Sequence, residues 1–420
     1  MSESIRVLHF ADVHIGVENY GGTDPETGLS QRVRDFLRRM DEMIEYARAH
    51  DVDLTIFAGD AFKTRTPNPT FQREFAWRIL DLAALAPVVM LVGNHDLPPT
   101  LMKASSVEIY RVLNVPNVWV ADSFDDDEGL KVVTTKRGDV VVGTAPYPIR
   151  SRLLDGVQTG GLTVAQTDVY MLRELIAYLE RLADKAATFD CPRILTGHLA
   201  VDGAHEGSER LIKFGRDVTV PYSAVGDPRW DYVALGHIHQ YQDLSAGREN
   251  RPPVIYSGSL ERIDFGEEHE AKGFCWVELG RGSTTYQFRR VKARPFKTIR
   301  LDLRQSLDPT VEAVEAVEAE NLREAVVRVI LALTPETDAK LKLSMVRDAL
   351  IRGGTSYIAG IRREVEQPAR ARLGANPEAL TDIELVERYF ISKDTDSARR
   401  TALLEAAEAL FQTDEADDHL

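Results

Sequence analysis

The stretch Pro87-Val88-Val89-Met90-Leu91-Val92-Gly93-Asn94-His95-Asp96 decides the fold. An apolar run stops abruptly at a glycine, an amide, an imidazole and a carboxylate. Bounded by Pro and Gly and rich in aliphatic and β-branched residues, it reads as a buried strand rather than a helix. Its polar groups then lie at the carboxyl edge, where ligands bind in open α/β sheets. Gly-Asn after a strand is equally an ordinary turn. The rest of the chain has to decide.

Working outward, four more apolar runs end in the same way. Ile5 to Ala11 ends in Asp12-Val13-His14, two side chains that share one side of extended chain. Leu54 to Ala58 ends at Gly59-Asp60, Arg193 to Thr196 at Gly197-His198, and Asp231 to Leu235 at Gly236-His237-Ile238-His239. A helical stripe through Val33, Phe36, Leu37, Met40, Met43, Ile44 and Ala47, and a second helix over 70–85, separate the first three strands. The pattern is β-α-β-α-β with polar residues after each strand. Strands of a single sheet would gather all five polar ends around one crevice.

Further along, the sequence predicts a helix over 104–113, a hairpin of 130–135 with 139–144, a long helix over 164–187, and strands at 253–257, 273–278 and 284–290. The pattern shifts at Ala293-Arg294-Pro295. Segments 296–303, a helix from Pro309, 325–333, a helix over 339–351 and 356–363 alternate as a small α/β module without a ligand-like strand end. Beyond Gln367-Pro368, two apolar stripes predict two helices. The expected domains are residues 1–292, 293–367 and 368–420.

At 420 residues and 44% hydrophobic content, the chain is long enough for two or three domains. No apolar run approaches the roughly 18 residues that span a bilayer, and Met1 to Arg6 lacks the layout of a signal peptide, so a cytoplasmic location without membrane contact is expected. Cys191 and Cys275 each sit in an apolar stretch and are expected as buried, reduced thiols. A net charge of -15 argues against coating nucleic acid by bulk electrostatics, but not against a nuclease, because metal sites need carboxylates and local basic patches grip phosphate. The acidic run from Asp414 to Asp418 is expected as a frayed tail.

The strand ends supply Asp12, His14, Asp60, Asn94, His198, His237 and His239. Such a mixed nitrogen and oxygen set suits two divalent transition ions, Mn, Fe or Zn ahead of Mg. A carboxylate reaching both would hold them about 3.5 to 4 Å apart, the spacing used for phosphate ester hydrolysis through an activated water. His95, beside Asn94 and not needed by either ion, is the candidate proton donor to the leaving group.

Asp-x-His, Gly-Asp, Gly-Asn-His-Asp, Gly-His and Gly-His-x-His in this order resemble the calcineurin-type metallophosphoesterases. The segment Tyr256-Ser257-Gly258-Ser259-Leu260-Glu261-Arg262-Ile263-Asp264-Phe265-Gly266-Glu267, with Lys272-Gly273-Phe274, is similar to the SbcD nuclease family of bacterial SbcCD complexes. The resemblance covers about the first 290 residues. It implies a two-sheet α-β-β-α sandwich, with Asp12, His14, Asp60 and His239 on one metal, Asp60, Asn94, His198 and His237 on the other, and His95 at the scissile phosphate. It further implies manganese as the preferred cofactor, double-strand exonuclease and single-strand endonuclease activity in DNA break and hairpin processing, and a homodimer assembled with the SMC-like ATPase SbcC. By position, 293–367 matches the DNA-capping domain and the last two helices match the ATPase-binding segment. A small-molecule phosphodiesterase or phosphatase of the same superfamily is the alternative, although the phosphatase pattern Gly-Asp-x-x-x-Arg-Gly is absent at Gly59 to Thr64. A non-catalytic scaffold would have lost ligands, and none is missing.

One departure stands out. Part of the family carries His three residues after the bridging Asp, and this chain has Lys63 there, either a phosphate contact or a solvated loop lysine. His205 is read as an exposed loop residue or a DNA contact, and Arg262 as a phosphate grip or a loop anchor. His9 is read as a satisfied core histidine, and His50, His269 and His419 as surface residues. Asp96 either orients a neighbour or caps the turn before Pro98.

Overall fold

The computed structural model describes residues 3–98, 103–154, 163–205, 207, 217–366, 380–393 and 395–417. The elements run β1 (Ile5–Phe10), α1 (Gln31–Ala49), β2 (Leu54–Phe57), α2 (Pro69–Leu85), β3 (Val88–Leu91), α3 (Ile109–Val112), β4 (Val118–Ala121), and the hairpin β5 (Leu130–Thr135) with β6 (Gly138–Ala145). After α4 (Arg150–Leu153) and α5 (Val164–Ala187) come β7 (Arg193–His198), the short pair β8 (Ala200–Val201) and β9 (Thr219–Val220), α6 (Tyr222–Val225), β10 (Tyr232–Gly236), β11 (Gln242–Asp243), β12 (Val254–Tyr256), β13 (Gly273–Leu279) and β14 (Thr285–Arg290).

These strands form two six-stranded sheets, ordered β14-β13-β1-β2-β3-β4 and β11-β12-β10-β7-β6-β5. β1 to β4 pair in parallel, as do β6, β7, β10 and β12, so every strand carrying a candidate ligand delivers it at a carboxyl end. The single sheet read from the strand ends is therefore corrected to the two sheets that the resemblance implied. Asp12, Asp60 and Asn94 follow strands of the first sheet, whereas His198 ends β7 and His237 follows β10 in the second. The ends still meet because the two sheets face each other.

Burial accounts for the layering. Val33, Leu37, Met40 and Met43 of α1 and Phe75, Ile79 and Leu82 of α2 pack on Leu8, Phe10, Phe57 and Met90 of the first sheet. Leu175, Leu179, Leu182 and Ala186 of α5 cover Val141, Leu195, Val233 and Val254 on the outer face of the second. Between the sheets, Val7, Ile56 and Val89 meet Val142, Ile194, Ala234 and Ile255. Strands apolar on both faces are what an α-β-β-α sandwich requires. The helix starts follow from capping: Ser30 and Asn68 accept from amides of α1 and α2, and Thr163 with Gln166 closes a capping box on α5.

His9 pins the two sheets together. Its Nε2–H donates to the Leu235 carbonyl at 3.2 Å, and its Nδ1 accepts from the Tyr232 hydroxyl at 3.0 Å. Fully buried, it is held down to about 3 by desolvation, against which the Leu235 bond acts only weakly. It is the satisfied core histidine read from the sequence.

The remaining elements are β15 (Phe296–Asp302), α7 (Pro309–Glu318), β16 (Val326–Leu333), α8 (Pro335–Lys340), α9 (Leu343–Arg352), β17 (Tyr357–Val365), α10 (Asp382–Ser392) and α11 (Ser397–Asp417). β15, β16 and β17 form a three-stranded sheet in that order. The chain divides into two compact units, Met1–Thr298 with Glu320–Arg328 and Leu350–Gly360, and Ile299–Ala319 with Val329–Ala349 and Ile361–Leu420.

Several local expectations change. The helix expected over 104–113 is a single turn, α3. The one expected over 339–351 is broken into α8 and α9, because Thr334 and Pro335 start a separate capped turn that ends at extended Leu341. The acidic run near the end is helical through Asp417 rather than frayed. Both cysteines are free thiols, but only Cys275 is fully buried. His419 and part of the 201–210 loop lie outside the described residues. Among the described residues, no helix is long and apolar enough to cross a membrane.

Candidate metal centre

The ligand candidates lie just past their strands, except His198, which is the last residue of β7. Asp12, His14, Asp60 and His237 have φ of 52°, 51°, 63° and 98°, the left-handed region, so each strand ends in a hook that turns its side chain into the crevice. The loops are stitched together by backbone bonds: Asp12 N–H to Gly59 O at 3.0 Å, and Val13 N–H to Asp60 O at 2.9 Å. Across the sheets, the His237 amide donates to both oxygens of Asp12 at 3.1 Å, and His198 Nδ1–H donates to Ala58 O at 2.7 Å. This approach needs Gly236, where a Cβ would lie 2.2 Å from Ala58 O.

All seven predicted ligands are buried and converge. His14 Nε2 lies 3.0 Å from His239 Nε2, 3.6 Å from Asp60 Oδ2 and 4.0 Å from Asp12 Oδ1. Asn94 Oδ1 lies 3.0 Å from His198 Nε2 and 3.2 Å from His237 Nδ1, and His198 Nε2 lies 3.5 Å from the same Asp60 Oδ2. Donors about 2.0–2.1 Å from one ion sit roughly 3 Å apart in adjacent positions of its shell. The two clusters match that spacing and share Asp60.

The protons point the same way. His198 Nδ1–H is committed to Ala58, His239 Nδ1–H to Glu267 Oε1 at 2.9 Å, and His237 Nε2–H to Asp217 Oδ2 at 3.0 Å. The opposite nitrogens, His198 Nε2, His239 Nε2 and His237 Nδ1, therefore present lone pairs to one another and to the oxygens of Asp60 and Asn94. His14 Nδ1 is buried with no hydrogen-bond partner among the described residues. Converging lone pairs in a desolvated crevice call for cations. In the chain by itself, protons answer the same need. Burial pushes Asp12 up to about 7, partly opposed by His198 and His239. Burial disfavours charge on His198 as well, but the adjacent Asp60 carboxylate drives its imidazole up to about 9. Burial also resists ionisation of Asp60, yet the surrounding imidazoles of His198, His95 and His14 hold it well below the usual carboxylate range. The Asp and His residues fit divalent metal.

His95 stands beside this set. Its backbone amide donates to Asp60 Oδ1 at 2.8 Å, its Nδ1–H donates to Lys63 O at 3.0 Å, and its ring meets His14 edge-on at 4.9 Å. Lys63 is half-buried. Burial lowers its pKa, opposed by Asp264, Asp60 and Glu267 nearby. Arg262 directs Nε, Nη1 and Nη2 to the carbonyls of Glu267, Arg294 and Glu270, so it is the loop anchor of the two readings, and those donors are not turned to phosphate. His205 is exposed, with its amide and carbonyl bound to the Gln242 side chain.

Asp96 does more than cap a turn. Oδ2 accepts from the amides of Asp60 and Gly93 at 2.8 and 3.1 Å, and Oδ1 accepts from the Ala61 amide and the Ser106 hydroxyl at 3.0 and 3.1 Å. It clamps the Asp60 and Gly93 loops together. Sequence reasoning missed Glu267, Lys272, Asp217 and Tyr147. Glu267 and Lys272 are both buried and paired at 2.9 Å behind His239, and the Tyr147 hydroxyl donates to Asp217 Oδ1 at 2.6 Å behind His237. Except Tyr147, just past β6, none follows an apolar strand as the ligands do, and the available signal for Glu267 and Lys272 was their place in the segment from Tyr256 to Phe274 that carries the family resemblance.

Residues 5–241 match the family described as calcineurin-like phosphoesterase. A curated relative from Rhodobacter capsulatus, named as the SbcD component of the nuclease SbcCD, is 30% identical over 329 residues, 75% of each chain. The chain belongs to the SbcD family of calcineurin-like phosphoesterases. SbcD relatives from Bacillus subtilis and Escherichia coli K12 are 28% and 29% identical over 285 and 286 residues, 66% of this chain and 67% and 66% of theirs. The sandwich and the Asp/His cluster are thus those of an SbcD-type phosphoesterase, an enzyme acting on phosphate esters.

Proposed function

We propose that the chain is the nuclease component of a DNA-processing complex and hydrolyses phosphodiester bonds at duplex ends and in single strands through two divalent ions, manganese ahead of iron or zinc. The observation that carries this reading is the convergence of histidine nitrogens with the oxygens of Asp12, Asp60 and Asn94 into two clusters that share Asp60 Oδ2. Asp12, His14, Asp60 and His239 would hold one ion, and Asp60, Asn94, His198 and His237 the other. Such a pair supplies an activated water and screens the phosphate oxygens. His95 is held at its amide by Asp60 and at Nδ1–H by the Lys63 carbonyl. It would have to take a second proton on Nε2, which burial disfavours and the nearby Asp60 carboxylate favours, and as the imidazolium would give that proton to the leaving oxygen. Lys63 gives the substrate phosphate a point charge.

The names of the SbcD relatives support a nuclease that works with a second protein as partner. Residues 293–367 would cap the DNA. The helices of 368–420 would bind an SMC-like ATPase, which fits the exposed Tyr389, Ile391 and Leu403 on α10 and α11. A homodimer contact fits the apolar face of Trp77 and Leu80 on α2 with Ile109, Val112 and Leu113 near α3, all exposed. The setting would be cytoplasmic.

The test is cleavage of end-labelled duplex and single-stranded DNA by the full chain with manganese, alongside a chromogenic small phosphodiester. Both DNAs should be cut, and chelation should abolish cutting. Cleavage of the small ester with both DNAs intact would refute the nuclease reading.

A further inference from the structure

The two histidines of Gly236-His237-Ile238-His239 are backed on opposite ring nitrogens. His239 is held at Nδ1 by Glu267, which is locked by Lys272. His237 is held at Nε2 by Asp217 at 3.0 Å, and Asp217 accepts from the Tyr147 hydroxyl at 2.6 Å. Tyr147 is itself fastened to the site, since its amide donates to Val92 O at 3.1 Å, two residues before Asn94. Its ring centroid lies 5.8 Å from that of His237. Asp217 is nearly buried beside His237.

We propose that Asp217 and Tyr147 are positioning residues for one metal site, that of Asn94, His198 and His237. By taking the Nε2 proton, Asp217 fixes the tautomer in which Nδ1, 3.2 Å from Asn94 Oδ1, is the ligand nitrogen. Its charge also makes the imidazole a stronger donor, and Tyr147, just past β6 and tied by its amide to Val92, holds the carboxylate in place. Without this pair, His237 can place its proton on Nδ1 and donate it to Asn94 Oδ1, 3.2 Å away, so that an N–H stands where the cation needs a lone pair. The other ion, backed by Glu267 and Lys272, does not depend on Asp217.

This inference rests on the two-ion reading of the centre. The experiment is titration of manganese into the chelator-treated full chain, followed by calorimetry and by the paramagnetic signal of free ion. Wild type should bind two ions. Asp217→Ala should weaken one site about 10- to 100-fold and leave the other unchanged, and Tyr147→Phe should weaken the same site by less. Glu267→Gln should weaken the other site. The melting temperature of each chelated variant separates loss of fold from loss of a ligand, and Tyr147→Phe carries the test if the alanine variant fails to fold. Two intact sites in the Asp217 and Tyr147 variants, or equal weakening of both sites, would overturn the proposal. Fewer than two ions on wild type would instead overturn the reading beneath it.

Discussion

Replacing His9 with glutamine probes the pin between the two sheets on which the alignment of Asp12 and His237 depends. The glutamine amide reaches the Leu235 carbonyl but does not titrate. In the folded chain, burial holds His9 down to about 3, whereas its ordinary value is 6.5. Below pH 6.5 the unfolded chain therefore binds a proton that the folded chain refuses. Stability is complete above that pH and falls as the pH drops toward 3. At pH 5 the gap is 1.5 pH units, about 2 kcal/mol at roughly 1.36 kcal/mol per unit. The variant should lose about 1 kcal/mol at every pH from one missing hydrogen bond, and be spared the acid-dependent loss. Urea unfolding of chelated protein at pH 8 and pH 5 measures both. Tryptophan fluorescence reports the sandwich alone, because Trp77, Trp119, Trp230 and Trp276 all lie in the first unit. The other site histidines contribute equally to both proteins and cancel. Stability curves parallel within about 0.5 kcal/mol would refute a neutral, buried His9.

Three further outcomes follow from the site. His95→Ala should reduce DNA cleavage about 10²- to 10⁴-fold with two manganese ions still bound, as counted by calorimetry; loss of an ion would reassign His95 to the ligand shell. Asp96→Ala strands three buried amides, each worth about 1–3 kcal/mol, so the midpoint of urea unfolding should drop sharply and metal affinity should fall with it. Gly93→Ala would put a Cβ 2.1 Å from Asp60 Oδ1, so both ions should bind more weakly in titration while the circular dichroism stays native.

The sequence made the strand ends legible because apolar runs that stop at Asp, Asn or His stand out against any helical period. It also made most of both sheets' strands legible, since strands such as Val88–Leu91 are buried along their whole length, but not the short edge strands β4 and β11. How the strands divide between sheets was not legible, because a parallel strand buried on both faces looks the same in either sheet. What Asp96, Asp217 and Glu267 bind stayed hidden for another reason. Their partners, Asp60, His237 and His239, lie 36, 20 and 28 residues away, and hydrogen bonds of that reach leave no period in the chain. The break at Leu341 was masked by helix-forming residues on both sides, where the capped turn after Thr334 decides.

The left-handed hooks at Asp12, His14, Asp60 and His237 also bear on how this chain can drift. A left-handed φ disfavours most side chains by about 1–2 kcal/mol, least for Asp and Asn and most for β-branched residues. Substitutions at these four places are filtered twice, once by coordination chemistry and once by backbone geometry. Glutamate or threonine fails the second filter even where it would pass the first. Asparagine passes the geometric filter and forfeits only charge or basicity. A lineage that abandoned catalysis while keeping the sandwich would be expected to accumulate asparagine and glycine at residues 12, 14, 60 and 237, a signature separable from random decay.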